Sequence, residues 1–121
     1  MYELGNEWNY NKFYSDLTFE QSLARVQEFA GAIKKADPEH PVSTSYGEMP
    51  TQATVNALSA IDIWGLNVYS GITFGDRFSR WAGMSQKPIY MSEFGADAYD
   101  SRINAVNLPA QAKDFRHSKY C

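Results

Sequence analysis

The sequence predicts an α/β fold in which four short parallel strands alternate with helices. Three observations carry that expectation. Short apolar runs recur around residues 2–6, 40–47, 61–69 and 87–93, each bounded by Gly, Pro or small polar residues. Segments with apolar residues at helical spacing lie between them, clearest in Phe19, Leu23, Val26, Ala30 and Ile33. Strand–helix alternation of this kind builds a parallel sheet with right-handed crossovers, and no linker, internal repeat or low-complexity stretch divides the chain.

Each element has its own local signals. Residues 2–6 read as a strand, and the polar and aromatic residues 8–17 as a loop. Thr18, with Gln21 three positions on, is a capping box for a helix that stops near Ala36, because Asp37-Pro38 disfavours continuation. Residues 40–47 form a second strand, weaker in pattern because Ser43, Thr44 and Ser45 interrupt it. Pro50 to Ala60 reads as a short helix, with Ala53, Ala57 and Leu58 on one side. Ile61 to Tyr69 is a third strand, closed by Ser70-Gly71. Phe74, Phe78 and Trp81 at i, i+4 and i+7 mark another helix. Lys87-Pro88 opens the fourth strand, Ile89-Tyr90-Met91, which ends abruptly in Ser92-Glu93 before Gly95. The tail from Tyr99 is polar, with a helix expected around Pro109 to His117.

Composition narrows the classes of function. The 121 residues suffice for one domain with a core, and a net charge of −3 gives no basic footprint for nucleic acid. No apolar run approaches membrane-spanning length. The N-terminus lacks the basic-then-apolar order of a signal peptide, and because it opens as if inside a strand, the chain is expected to be a fragment whose compartment stays unassigned. Cys121 is the only cysteine, so no intrachain disulfide or cysteine-based metal site can form. No cofactor motif is present: there is no phosphate-cradling glycine loop, no dinucleotide fingerprint, and Asp97 and Asp100 do not make a calcium loop. His40 and His117 are isolated and receive no ligand role.

The chemistry concentrates in two glutamates. Glu7 follows the first strand and a glycine; Glu93 ends the fourth. Parallel α/β sheets place their chemistry at the carboxyl ends of strands, and a buried unpaired carboxylate is too costly to be idle. Two carboxyl groups about 5 Å apart are what sugar hydrolysis with retention requires, one to protonate the leaving oxygen and one to attack the anomeric carbon. Trp8 and Tyr46 stand either as walls of a sugar subsite or as packing, Trp64 and Trp81 as core, and Glu48 as a solvated loop carboxylate within reach of a substrate.

Gly5-Asn6-Glu7 resembles the Asn-Glu acid/base motif that ends strand four in a large clan of (β/α)8-barrel retaining glycosidases. Ser92-Glu93-Phe94-Gly95 resembles that clan's nucleophile motif at the end of strand seven, and Ile63 to Tyr69 its sixth strand. The nearest likeness is to the family of β-galactosidases, β-glucuronidases and β-mannosidases. The resemblance implies Glu7 as general acid/base, Glu93 as nucleophile, Asn6 on the sugar 2-hydroxyl, and Tyr69 hydrogen-bonded to Glu93. It implies a carbohydrate substrate, no metal and no cofactor.

It also implies a half TIM barrel, strands four to seven, without the strands that complete the sugar site. A half barrel has two open edges and an uncovered inner face, so a homodimer or larger assembly is expected. Two rivals to the enzymatic reading are a non-catalytic carbohydrate-binding remnant and an inert, self-associating half barrel.

Overall fold

A computed structural model describes residues 1–69, 74–96 and 98–117. Ser70, Gly71, Asp97 and Cys121 lie outside the described residues, as does the side chain of His117. The strands β1 (Tyr2–Asn6), β2 (Val42–Gly47), β3 (Ile63–Val68) and β4 (Ile89–Phe94) form one sheet in the order β1-β2-β3-β4, and every pairing is parallel. Helices α2 (Phe19–Ala36), α3 (Gln52–Ala57) and α4 (Arg77–Met84) connect them, which is the predicted alternation.

Side-chain alternation along the strands explains the two faces of the sheet. Val42 and Tyr46, Trp64, Leu66 and Val68, and Ile89 and Met91 belong to the hydrophobic core with Val26 and Ala30 of α2. The residues between them, Ser43, Ser45, Gly65, Tyr90 and Ser92, point to the other face. The Ser/Thr content that weakens the pattern of β2 is thus the polar half of an alternation. The face expected to be uncovered is therefore polar. Ser43 and Ser45 are buried there, and the ring of Tyr90 lies over Gly65, where an added Cβ would come within 2.9 Å of it.

Side chains of the two edge strands meet across the polar face of the sheet. A flat sheet would hold the edge strands β1 and β4 about 14 Å apart, three strand spacings. Yet Tyr90 Oη of β4 donates to Glu3 Oε2 of β1 at 3.0 Å, and Ser45 Oγ of β2 donates to Glu3 Oε1 at 2.7 Å. Two long side chains thus span β2 and β3, a reach that a sheet curled toward this face would ease. Burial, and then the hydrogen bond to Glu3, raise the Tyr90 pKa, which keeps its hydroxyl a donor through the neutral range.

Helix boundaries follow local chemistry. Thr18 and Gln21 form the predicted capping box, and α2 ends at Ala36 as expected. The third helix is shorter than expected: Thr51 caps it through Thr54 N, and it ends at Ala57. The fourth starts at Arg77, not Phe74, because Gly75 adopts φ +58 and breaks the turn. Phe74 instead packs edge-on against Phe78 and Phe94. The expected loop at 8–17 begins as a helical turn, α1 (Trp8–Asn11), followed by a 3-10 turn at Lys12–Tyr14. The tail carries an unforeseen two-stranded antiparallel pair, β5 (Tyr99–Asp100) with β6 (Ala105–Val106), and then α5 (Leu108–His117).

The rim at the amino ends of the strands is held by charge. Asp62 accepts from Lys34 Nζ and from Val42 N, and Lys87 Nζ donates to the carbonyls of Leu58, Ser59 and Ile61. Burial acts to raise the Asp62 pKa, but the hydrogen bonds from Lys34 and Val42 outweigh it and leave it lowered. A carboxylate with a folded pKa below its unfolded value adds stability above the unfolded pKa, and that stability is lost as pH falls through the folded one. Asp62→Asn is therefore expected to flatten the acid limb of the stability–pH profile below about pH 4, as read by urea midpoints across pH.

Candidate functional site

Two irregularities in strand pairing build the site. Along β1 and β2, Glu3 pairs with Ser43, but Asn6, not Gly5, pairs with Ser45. One extra residue is accommodated where Gly5 takes φ +66. Along β3 and β4, Leu66 pairs with Met91, but Asn67 pairs with Glu93, leaving Ser92 as the extra residue. Such bulges re-aim side chains, because a one-residue slip exchanges the faces of a strand. Without them Asn6 would share the face of Tyr46, and Glu93 that of Val68, toward the core. With them, both lie on the inner face at the carboxyl ends of the strands.

Glu7 reaches the same place by a different device. It takes φ 49, a left-handed conformation that is uncommon outside glycine and costs about 1–2 kcal/mol. Its N–H donates to Ser45 O at 2.9 Å, and its carbonyl accepts from Tyr10 N and Asn11 N. Its side chain does not cap the following helix. The carboxyl turns instead to the inner side, where Asn67 Nδ2 donates to Oε1 at 3.2 Å.

Asn67 was missed by sequence reasoning, and it joins the parts. From β3 it passes over β2 to reach Asn6 Oδ1 at 3.0 Å as well as Glu7. Its own Oδ1 accepts from Ser92 Oγ at 2.6 Å, and its backbone carbonyl accepts from Glu48 N at 2.9 Å. The side chain is only 1% exposed, so these bonds fix its amide orientation. The signal was present: Asn67 is a lone amide in the apolar run Ile63 to Val68, and a buried amide needs partners. Asn67→Asp would set a carboxylate against Glu7. It is expected to cost about 1–3 kcal/mol at neutral pH, shrinking in acid as one of the two carboxyls protonates; urea titrations at both pH values check this.

Tyr69, just past β3, donates from Oη to Glu93 Oε2 at 2.7 Å. Both glutamates are half-buried, so a carboxylate on either stays in contact with water. Tyr10 stands on the same rim, its ring against Gly47, where an added Cβ would lie 2.2 Å from it. Burial, with the charges of Glu48 and Glu7, raises its pKa. Asn9 clamps the end of β2 by exchanging hydrogen bonds with Gly47 N and O, at 2.8 and 3.0 Å.

Other residues considered from sequence fall elsewhere. Trp8 is fully buried and lies on the helix side of the sheet, stacked on Phe13 and Phe19, with Nε1 donating to Thr44 Oγ1 at 2.9 Å. Tyr46 is also buried, between Trp8 and Trp64. Both are packing, not open walls for a sugar: strand alternation turns Tyr46 away from the inner face, and Trp8, in the turn after β1, packs against it on the core side. Trp64 and Trp81 are core, as expected. His40 pairs with Asp37, and Asp100 with Arg102 and Asn107. Among the described residues, no group of three acidic, His or Cys side chains could hold a metal ion, and no helix is long and apolar enough to cross a membrane.

Compared with family models, with curated proteins and with solved structures, the chain matches none.

Proposed function

We propose that the chain carries the catalytic pair of a retaining glycoside hydrolase acting on β-linked sugars. Glu93 would attack the anomeric carbon, and Glu7 would protonate the leaving oxygen and then activate water. The observation that carries the reading is the pair of bulges, which turn Asn6 and Glu93 from the core side to one inner face, with Asn67 joining Asn6 and Glu7. Three independent local distortions, counting the left-handed Glu7, oppose regular strand geometry in order to aim polar groups at one mouth. Backbone strain and bulges of this sort gather at functional sites.

The supporting groups suit the roles. The Tyr69 hydroxyl donates to Glu93 and holds its carboxyl in place, as a nucleophile needs. Asn6 accepts from Asn67 through its oxygen, so its amide nitrogen is turned outward as a donor for a sugar hydroxyl. An activated fluorosugar, whose glycosyl-enzyme hydrolyses slowly, tests the assignment with this chain. The expected result is a glycosyl adduct on the peptide containing Glu93, seen by mass spectrometry. An adduct elsewhere, or none, rejects it.

The half TIM barrel belongs to the same proposal. The hydrogen bond from Tyr90 to Glu3 across the sheet suits one half of an eight-stranded ring, and β1 and β4 each have one strand neighbour among the described residues. A two-fold dimer would pair each copy's β4 with its partner's β1. Sedimentation should give a species of twice the chain mass, and a monomer across the micromolar range would count against closure. The burial of Trp8 and Tyr46 weighs against a purely sugar-binding remnant, which would need them on the rim.

A further inference from the structure

We infer that the site selects glycosides without an anionic substituent, and that Glu48 enforces this by occupying Arg77. The inference rests on the glycosidase reading and names the substrate class of that same site.

Glu48 is the first residue beyond β2, at the carboxyl rim. Its N–H donates to the carbonyl of Asn67, the residue that touches Asn6, Glu7 and Ser92. Glu48 takes φ 64, so the chain turns sharply there and the residue stays at the rim. Its carboxylate receives Arg77 Nη2 at 2.8 Å, while Arg77 Nη1 donates to Phe74 O at 3.1 Å. The Arg77 Nε is buried and has no partner among the described residues. Arg77 is the kind of group that would grip a sugar carboxylate or sulfate in a bidentate fork. Its two terminal nitrogens are already spent, one on Glu48 and one on the Phe74 carbonyl.

A uronide entering the mouth would therefore meet the carboxylate of Glu93 with no free guanidinium to offset it, because Glu48 already neutralises Arg77. Like charges at this range disfavour binding, and the effect weakens with salt. An uncharged hexoside meets no such cost. Specificity of this kind works by repulsion of the wrong ligand as much as by attraction of the right one.

The test compares labelling rates for two activated fluorosugars, one a neutral hexosyl and one a uronyl compound, on three chains. They are the unmodified protein, Glu48→Asn and Glu48→Gln. Asn tolerates the positive φ but is too short to hold Arg77; Gln keeps the hydrogen bond and drops the charge. The unmodified chain should label with the neutral sugar at least about tenfold faster, a ratio that narrows with added salt. Glu48→Asn should shrink the ratio about fivefold or more, and Glu48→Gln by less. Equal or faster labelling of the unmodified chain by the uronyl sugar overturns the inference and leaves the glycosidase reading standing. So does a ratio that neither variant changes, with both variants folded by circular dichroism. No labelling of any chain by either sugar removes the glycosidase reading itself, and the inference falls with it.

Discussion

Glu93→Gln is expected to abolish turnover of an aryl β-glycoside, with kcat/KM falling about 10⁴-fold or more. The neutral amide cannot supply the electron pair that forms the glycosyl bond, and the covalent route closes. The loss corresponds to about 5 kcal/mol of barrier. The fold should not change, because Gln fits the same volume and can still accept from Tyr69 Oη. That makes Tyr69→Phe the informative companion: it removes the donor from Glu93 and should lower kcat by about 10- to 100-fold without abolishing it. Equal melting curves with lost turnover would assign Glu93 to chemistry. Unchanged turnover in Glu93→Gln would remove it from the mechanism.

Trp8→Ala should unfold the chain or nearly so, with a loss of about 3–5 kcal/mol. Trp8 is fully buried, packs against Phe13, Phe19 and Tyr46, and shares a hydrogen bond with Thr44. Truncation leaves a large void and takes one of two partners from the Thr44 hydroxyl, which still donates to Leu4 O. A domain of this size holds about 5–15 kcal/mol in total, so the loss takes a large share of its stability. Trp8→Phe keeps most of the volume and should cost about 1–3 kcal/mol. Urea unfolding of the two variants checks the order. A Trp8→Ala chain that melts normally and only loses sugar affinity would return Trp8 to the rim.

Much of the layout was readable from residue order alone. Phe19, Leu23, Val26, Ala30 and Ile33 announced α2, and Thr18 with Gln21 its start, because both signals are local. The strands were placed by their apolar runs, and the two glutamates by their position after those runs. What escaped was whatever depends on partners far along the chain. Asn67 gains its meaning from Asn6, Glu7 and Ser92, which lie 25 to 61 residues away. The bulges are invisible without the neighbouring strand, since Ser92 is an extra residue only relative to β3. Tyr46 could not be assigned a side until the register at Ser43 and Ser45 was known, nor Trp8 until its contact with Tyr46 was. The turn at Trp8–Asn11 was missed because Asn9 and Asn11 read as loop formers; in the fold their amides bond to Gly47 and to the Asn6 carbonyl instead.

The extra residue at Ser92 serves its neighbour across the ladder as much as the acid behind it. Excising that single serine would restore unbroken ladder geometry and leave Glu93 opposite Asn67, because it would then follow Met91 directly. It would also strip the buried Asn67 Oδ1 of its hydroxyl donor, so the straightened strand should be the less stable one. Here the irregular ladder is the better satisfied one.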